Sequence, residues 1–238
     1  MNPHIICHMT TSIDGKVTGT FLYQEECVAA TNEYYRLNRE LDAQAFACGR
    51  ITMEESFTGG WYPDLRAFEN KKIAREDYVA DNKALRYAVA FDRQGRLGWK
   101  SAVIEDEDPG YGGSHIVEVI CENASDAYLA YLQSIGVSYV FAGKTEMDLE
   151  LAVEKLGRLF GIQTLLLEGG SEINGAFQRA GLIDELSLVQ APLMADADSK
   201  PLFEGSVLKN YHLQEAKVLG EGALWIRYGR GEISEKNK

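Results

Sequence analysis

The sequence has little positive charge, few cysteines and histidines, and no long apolar run. Lysine and arginine number 24 against 36 aspartates and glutamates, a formal net charge of −12. Nucleic acid and anionic membrane are therefore not expected as partners, since both call for a broad cationic face. The same balance means that an anionic ligand must be held by a few local donors against an unfavourable long-range field. The four cysteines, Cys7, Cys27, Cys48 and Cys121, form no C-x-x-C pair, and only four histidines accompany them. Structural zinc and a disulfide framework are excluded on that pattern, no metal is expected, and a reducing cytoplasm is the expected compartment. No stretch reaches the roughly 20 apolar residues of a membrane-spanning helix. "MNPHIICHMTTS" also lacks the basic region and long apolar core of a leader. Prolines number five, and no Pro/Ser-rich linker or internal repeat divides the chain. One domain over 1–231 with a polar tail, 232–238, is the expected organisation.

What is present is an ordinary globular mixture: 238 residues, 45% hydrophobic and 25% charged. A chain of that length buries a sizeable core. Strands are predicted at His4–Met9, Ala43–Gly49, Arg86–Asp92, His115–Cys121, Val137–Gly143, Ile162–Glu168 and Glu185–Pro192. Between them come helices. One is capped by Thr31 and runs to Leu41, with Tyr34, Leu37 and Leu41 inward. A short one lies in "RITMEESF". Ser125 opens another that Gly136 stops. Asp148 caps the next, which carries Leu149, Ala152, Val153, Leu156 and Phe160 at helical spacing and ends at Gly161. The last places Ile173, Ala176, Phe177 and Ala180 on one face before Gly181. A terminal hairpin is predicted around "GEG". Alternating strands and helices imply a mainly parallel sheet with helices on its faces, and the hairpin makes it mixed.

Three strand ends carry the candidate chemistry. In open α/β sheets, ligands sit beyond the carboxyl ends of strands. "LLLEGGSEINGAF" puts Glu168 last on a strand, then Gly169 and Gly170, then Ser171 opening a helix. A glycine pair admits close approach of a ligand to the backbone, and a helix start offers free N–H groups to a phosphate, with the Ser171 hydroxyl as a further donor. The plainer alternative is a tight turn with Glu168 solvated. "ACGRIT" leaves its strand through Gly49 with Arg50 and Thr52 on the first helical turn, a fork of donors and a hydroxyl suited to phosphate. The alternative there is an exposed arginine and a capping threonine. Two such turns on neighbouring strands would straddle a dinucleotide. "SIDGKV" follows the first strand, with Asp14 and Gly15 in a turn and Lys16 as a mobile cation. "GYGGS" precedes a strand rather than a helix and is discounted as a nucleotide loop.

With these pieces in place, "SIDGKV", "LDAQAFACGRIT" and "LLLEGGSEINGAFQRAGLIDELSLVQAP" together resemble the reductase domain of riboflavin biosynthesis, a relative of dihydrofolate reductase. The resemblance spans Ile5 to about Pro192. It implies an α/β, dihydrofolate-reductase-like fold and an NADPH-dependent oxidoreductase. The implied reaction is reduction of 5-amino-6-(5-phosphoribosylamino)uracil or a similar heterocyclic sugar phosphate, with hydride passing to C1′ of the Schiff-base form. A cytoplasmic homodimer is implied as well. Gly49, Arg50, Thr52, Gly169, Gly170 and Ser171 match cofactor positions. Lys16, Glu54, Glu168 and Asn174 match, or lie near, positions that contact substrate. Lys16, Glu168 and Asp14 are the catalytic candidates, and the proton could come from Lys16, Glu168 or a bound water.

The sequence also departs from that family. The usual T-x-x-x-D-x-P run after the second strand is replaced by "RITMEESF", and the loop Thr18–Thr31 differs, which bears on substrate more than on cofactor. No H-x-E with P-C-x-x-C deaminase signature is present, so a reductase alone is expected. The alternatives are a folate or pterin reductase, although the chain has no L-P-W segment, and a non-catalytic nucleotide-binding homologue.

Overall fold

The computed structural model describes residues 2–231, so the 232–238 tail lies outside the described residues. In chain order the elements are β1 (His4–Thr11), α1 (Glu25–Glu40), β2 (Ala45–Gly49), α2 (Arg50–Met53), β3 (Tyr87–Phe91), β4 (His115–Ile120), α3 (Asp126–Ser134), β5 (Ser138–Phe141), α4 (Leu149–Phe160), β6 (Thr164–Leu167), α5 (Ser171–Ala180), β7 (Glu185–Gln190), β8 (Tyr211–Val218) and β9 (Leu224–Arg230). They fall into two compact units, one of Met1–Pro3 and Ala43–Leu165, the other of His4–Asp42 and Leu166–Lys238.

In the first unit β5, β4, β3 and β2 lie side by side in that order, all parallel. Every residue of β3, β4 and β5 is buried. That is the burial expected of parallel strands covered on both faces, and it explains why they read as continuous apolar runs. The helix ends follow their predicted caps. Ser125 accepts the Tyr128 N–H at 3.1 Å and Asp148 accepts that of Leu151 at 3.0 Å, while Gly161 closes α4 at φ 68°. Residues 66–86, which carry little periodicity, are anchored by Tyr78. It exchanges backbone hydrogen bonds with Tyr139 on β5, both 2.9 Å. Nearby, Lys155 reaches Asp77 at 2.8 Å.

In the second unit β1 pairs parallel with β7, β7 pairs antiparallel with β9, and β9 with β8, which gives the expected mixed pairing and terminal hairpin. Its core joins Phe21, Cys27, Ala30 and Leu37 to Val189, Ala191, Ala223 and Trp225. The first helix is a correction: it starts at Glu25, and Thr31 lies inside it rather than capping it. Cys27 and Ala30 form the missing half of its buried face. Such small residues carry a weak apolar signal, and the threonine drew the boundary inward.

Helix α5 contains Gly175 at a mid-helix position, which ordinarily costs about 1 kcal/mol relative to alanine. The structure explains it. A Cβ there would lie 1.9 Å from the carbonyl oxygen of Glu204. The irregular segment after β7 runs directly over the helix. It is held by Gln178, whose amide donates to Val207 O at 2.6 Å and accepts the Val207 N–H at 2.9 Å, and by Arg179, which donates to Glu204 O at 2.7 Å.

Candidate active site

The two units carry separate groups of candidate residues. In the second unit, β6 ends at Leu167 and Glu168 follows, 6% exposed. The solvated alternative for this carboxylate is thereby removed. Its Oε1 accepts the side-chain N–H of Asn38 at 2.6 Å. Gly169 holds φ 100°, its peptide bond to Gly170 is cis, and a Cβ at Gly169 would come 3.2 Å from Met9 Cε. Such a φ favours glycine, and Met9 packs where a side chain would lie. Gly170 precedes α5 and leaves the helix start without a side-chain cap. The amides of that first turn are therefore available to an anion.

Two expectations at this corner are corrected. The Ser171 hydroxyl donates to Pro201 O, so its proton is committed to the loop and adds no donor for a phosphate. Asn174 is fully buried. Its amide donates to Leu202 O at 3.3 Å, which ties α5 to the same loop instead of placing the side chain against substrate.

The loop after β1 is tightly strapped. Ser12 Oγ donates to Asp14 Oδ1 at 2.7 Å and accepts the Lys16 N–H at 2.9 Å. Asp14 Oδ1 also accepts the Ala195 N–H at 3.1 Å. These bonds, Ser12 first, then Ala195, with a contribution from the Lys16 charge, hold the Asp14 carboxyl below its usual range. Asp14 is thus an ionised turn residue whose carboxylate is engaged by Ser12 and Ala195. Ile13 N–H donates to Leu193 O at 2.8 Å, Val17 N–H to Lys200 O at 2.9 Å, and Leu202 N–H to Gly15 O at 2.9 Å. The backbone at Lys16 is consequently fixed against the 193–202 segment, and only its half-buried side chain retains freedom.

In the first unit, Gly49 ends β2 in an extended conformation and Arg50 opens α2. The Arg50 guanidinium pairs with the Glu54 carboxylate one turn on, the two side chains 30% and 35% exposed. Glu54, expected near substrate, is in the first place the partner of Arg50. Thr52 is half-buried on the same turn. Asp92, at the end of β3, is 1% exposed and accepts the Leu97 N–H at 2.8 Å. Burial pushes its carboxyl up, against the pull of those backbone N–H groups and the Arg50 charge.

Sequence reading missed Asn38, Ser12 and the whole 193–202 strap. Asn38 was legible in principle. Once α1 is extended back to Glu25, Ala30, Tyr34, Leu37 and Asn38 recur at i, i+4, i+7 and i+8, the spacing of one helical face. Ser12 bonds only to Asp14 and Lys16 within its own turn, whereas the strap depends on contacts between segments about 180 residues apart, which no local pattern encodes.

A family model of the RibD C-terminal domain matches residues 3–225. The 2,5-diamino-6-ribosylamino-4(3H)-pyrimidinone 5′-phosphate reductase of Methanothermobacter thermautotrophicus is 27% identical over 232 residues, covering 94% of this chain and 97% of that protein. Among solved structures, a pyrimidine reductase-like protein from Corynebacterium diphtheriae aligns with a TM-score of 0.68 at 17% identity, over 97% of this chain and 92% of that one. The riboflavin biosynthesis reductase Rib7 of Saccharomyces cerevisiae aligns with a TM-score of 0.62 at 12% identity, over 97% and 90%. At those identities the two structures speak for the fold, a mixed α/β sheet closed by a C-terminal antiparallel hairpin. Sequence and fold together lead to one conclusion: the chain belongs to the RibD C-terminal domain family, the oxidoreductases of riboflavin biosynthesis.

Proposed function

We propose that the protein reduces a ribosylaminopyrimidine 5′-phosphate with NADPH, and that the 2,5-diamino-4(3H)-pyrimidinone form is its substrate. The observation that carries this reading is the corner after β6: a buried carboxylate, Glu168, followed by a glycine at φ 100° and a helix start with no side-chain cap. The choice of pyrimidine follows the name of the Methanothermobacter relative.

The residues present fit a dinucleotide. Gly169 and Gly170 are assigned to the cofactor as the side-chain-free corner before α5, whose first turn offers amide donors to a pyrophosphate. Arg50, set by Glu54, and Thr52 are assigned to the cofactor, Arg50 to its additional phosphate, with Gly49 as the strand exit. When bound, NADPH supplies the hydride for C1′ of the ring-opened sugar. Glu168 accepts hydrogen bonds from substrate hydroxyl or amine groups. Lys16 Nζ lies on a fixed loop, contacts the sugar phosphate and donates the proton that the opening ring oxygen takes up. Most of the rate enhancement is assigned to holding the two reactants in register, which supplies roughly 7–11 kcal/mol of the barrier in favourable cases.

NADPH oxidation followed with the diaminopyrimidinone, its deaminated uracil counterpart and dihydrofolate tests the proposal. Turnover is expected with the two pyrimidines, faster with the first. Steady turnover of dihydrofolate alone, or NADPH binding without reduction of any of the three, overturns it. We also assign the protein to the cytoplasm, in keeping with four buried cysteines, and to a homodimer built on β8. That strand ends its sheet and exposes Leu213 (58%) and Val218 (80%). Light scattering on the purified protein measures the oligomer.

A further inference from the structure

We propose that Asn38 is a positioning residue for Glu168, and that helix α1 thereby takes part in substrate recognition; this rests on the assignment of Glu168 to substrate given above. Asparagine is a poor residue for a helix interior and costly to bury unless it is hydrogen-bonded. Asn38 is nevertheless on α1 and only 6% exposed, next to Leu37 at 1%. Its side-chain N–H lies 2.6 Å from Glu168 Oε1.

The polarity of that contact is unambiguous. An amide nitrogen only donates, so Oε1 must accept, and the bond is strongest when the acceptor is ionised. The neighbouring group on β1, Cys7, is fully buried, and burial with the Glu168 charge pushes its thiol up, so it stays a neutral thiol at every working pH. Asn38 therefore does two things. It favours the carboxylate over the acid, and it restrains rotation of the carboxyl group. A carboxylate held this way accepts from a sugar hydroxyl or an amine N–H. A protonated, rotating Glu168 would offer a donor in its place and lose that recognition.

Asn38→Asp is the diagnostic variant, made in the full chain. Two carboxyl groups at this separation cannot both ionise, so one proton is shared. At low pH the protonated aspartic acid donates as the amide did, and at high pH the donor is gone. We expect kcat/KM for the pyrimidine substrate in the variant to fall roughly tenfold relative to the parent between about pH 6 and about pH 8. The affinity for NADPH, read by direct binding, should stay within about twofold. A purely packing role would lower activity without adding a titration.

Thermal unfolding of the same proteins needs no substrate and separates this idea from the functional reading. The Tm of Asn38→Asp should drop as pH rises, and the Asn38→Asp/Glu168→Gln double variant should lose that dependence. If the parent turns over neither pyrimidine, the functional reading fails while the Tm comparison still judges the coupling. An activity profile parallel to the parent, a Tm dependence that survives Glu168→Gln, or a variant unfolded at every pH with or without that second change each overturns the proposal.

Discussion

The imidazole of His8 lies flat against the ring of Tyr34, the centroids 4.4 Å apart and the planes 5° from parallel. His8 Nε2 is 3.0 Å from the Tyr34 carbonyl oxygen, which only accepts, so Nε2 carries the proton. Nδ1 then accepts from Ser187 Oγ at 3.0 Å, and Ser187 Oγ accepts the Trp225 indole N–H at 2.9 Å. Ser187 O lies 3.2 Å from Nδ1 as well and would accept from a charged ring, so burial of the charge across α1, β1, β7 and β9 is what favours the neutral form. Burial pushes the His8 pKa down to about 4, with the backbone hydrogen bonds to Tyr34 and Ser187 pulling the other way.

The unfolded ring titrates near its ordinary value of about 6.5, so the neutral-ring contribution is complete above that pH. It declines as pH falls toward about 4, because the unfolded state takes up a proton first. The loss across this window amounts to about 3 kcal/mol. Urea unfolding at neutral and acid pH should show the parent losing about that much more than His8→Asn does. Equal losses would mean that the folded protein already carries a charged ring.

Glu118 sits mid-strand on β4 with no exposure and should show the opposite dependence. Trp99 Nε1 donates to its Oε1, and the Tyr128 hydroxyl lies 3.2 Å from that atom and 2.8 Å from Leu97 O. The single Tyr128 proton goes to the nearer carbonyl, so the contact with Glu118 is satisfied when the acid carries a proton. Burial first, and then the Asp92 charge, raise the Glu118 pKa well above normal. Its contribution to stability is present below the unfolded pKa and lost as pH rises through the folded one. Glu118→Gln should flatten the alkaline side of the stability profile. A variant less stable than the parent by the same amount at every pH would refute the assignment.

Gly175→Ala tests the packing of the 202–207 segment on α5. In an open helix that change stabilises by about 1 kcal/mol. Here the new Cβ meets Glu204 backbone, so Tm should fall by several degrees. Calorimetry reads the sign directly, and a rise in Tm would show that the segment lifts away freely.

Arg50 and Glu54 can be separated by cofactor preference. Arg50→Ala should raise the KM for NADPH about tenfold or more while leaving that for NADH within about twofold. Glu54→Gln should leave the pyrimidine KM nearly unchanged, because its carboxylate serves the arginine. A selective loss of pyrimidine affinity in Glu54→Gln would restore it as a substrate contact.

The candidate chemistry was read locally. The corner at Glu168–Gly170, the Gly49–Thr52 exit and the Asp14–Lys16 turn are short motifs whose meaning depends on residues adjacent in sequence. What each atom does was less legible. Ser171 and Asn174 carry suitable groups, yet Pro201 O, about 30 residues on, takes the Ser171 hydroxyl proton and Leu202 O takes the Asn174 amide N–H. Asp14 reads as a turn residue and catalytic candidate, and its bond to the Ala195 N–H comes from far along the chain.

The sequence by itself determined the strands, the caps of α3 and α4, the glycine stops and the terminal hairpin, because 2.0 and 3.6 periodicities and cap chemistry act over a few residues. Tertiary structure alone decided that Thr31 lies inside a helix, that Tyr78 bonds to β5, and that Asn38 meets Glu168. Those outcomes depend on which distant surfaces bury one another. Burial decides whether a polar side chain is solvated, spent on a carbonyl or left to meet a ligand.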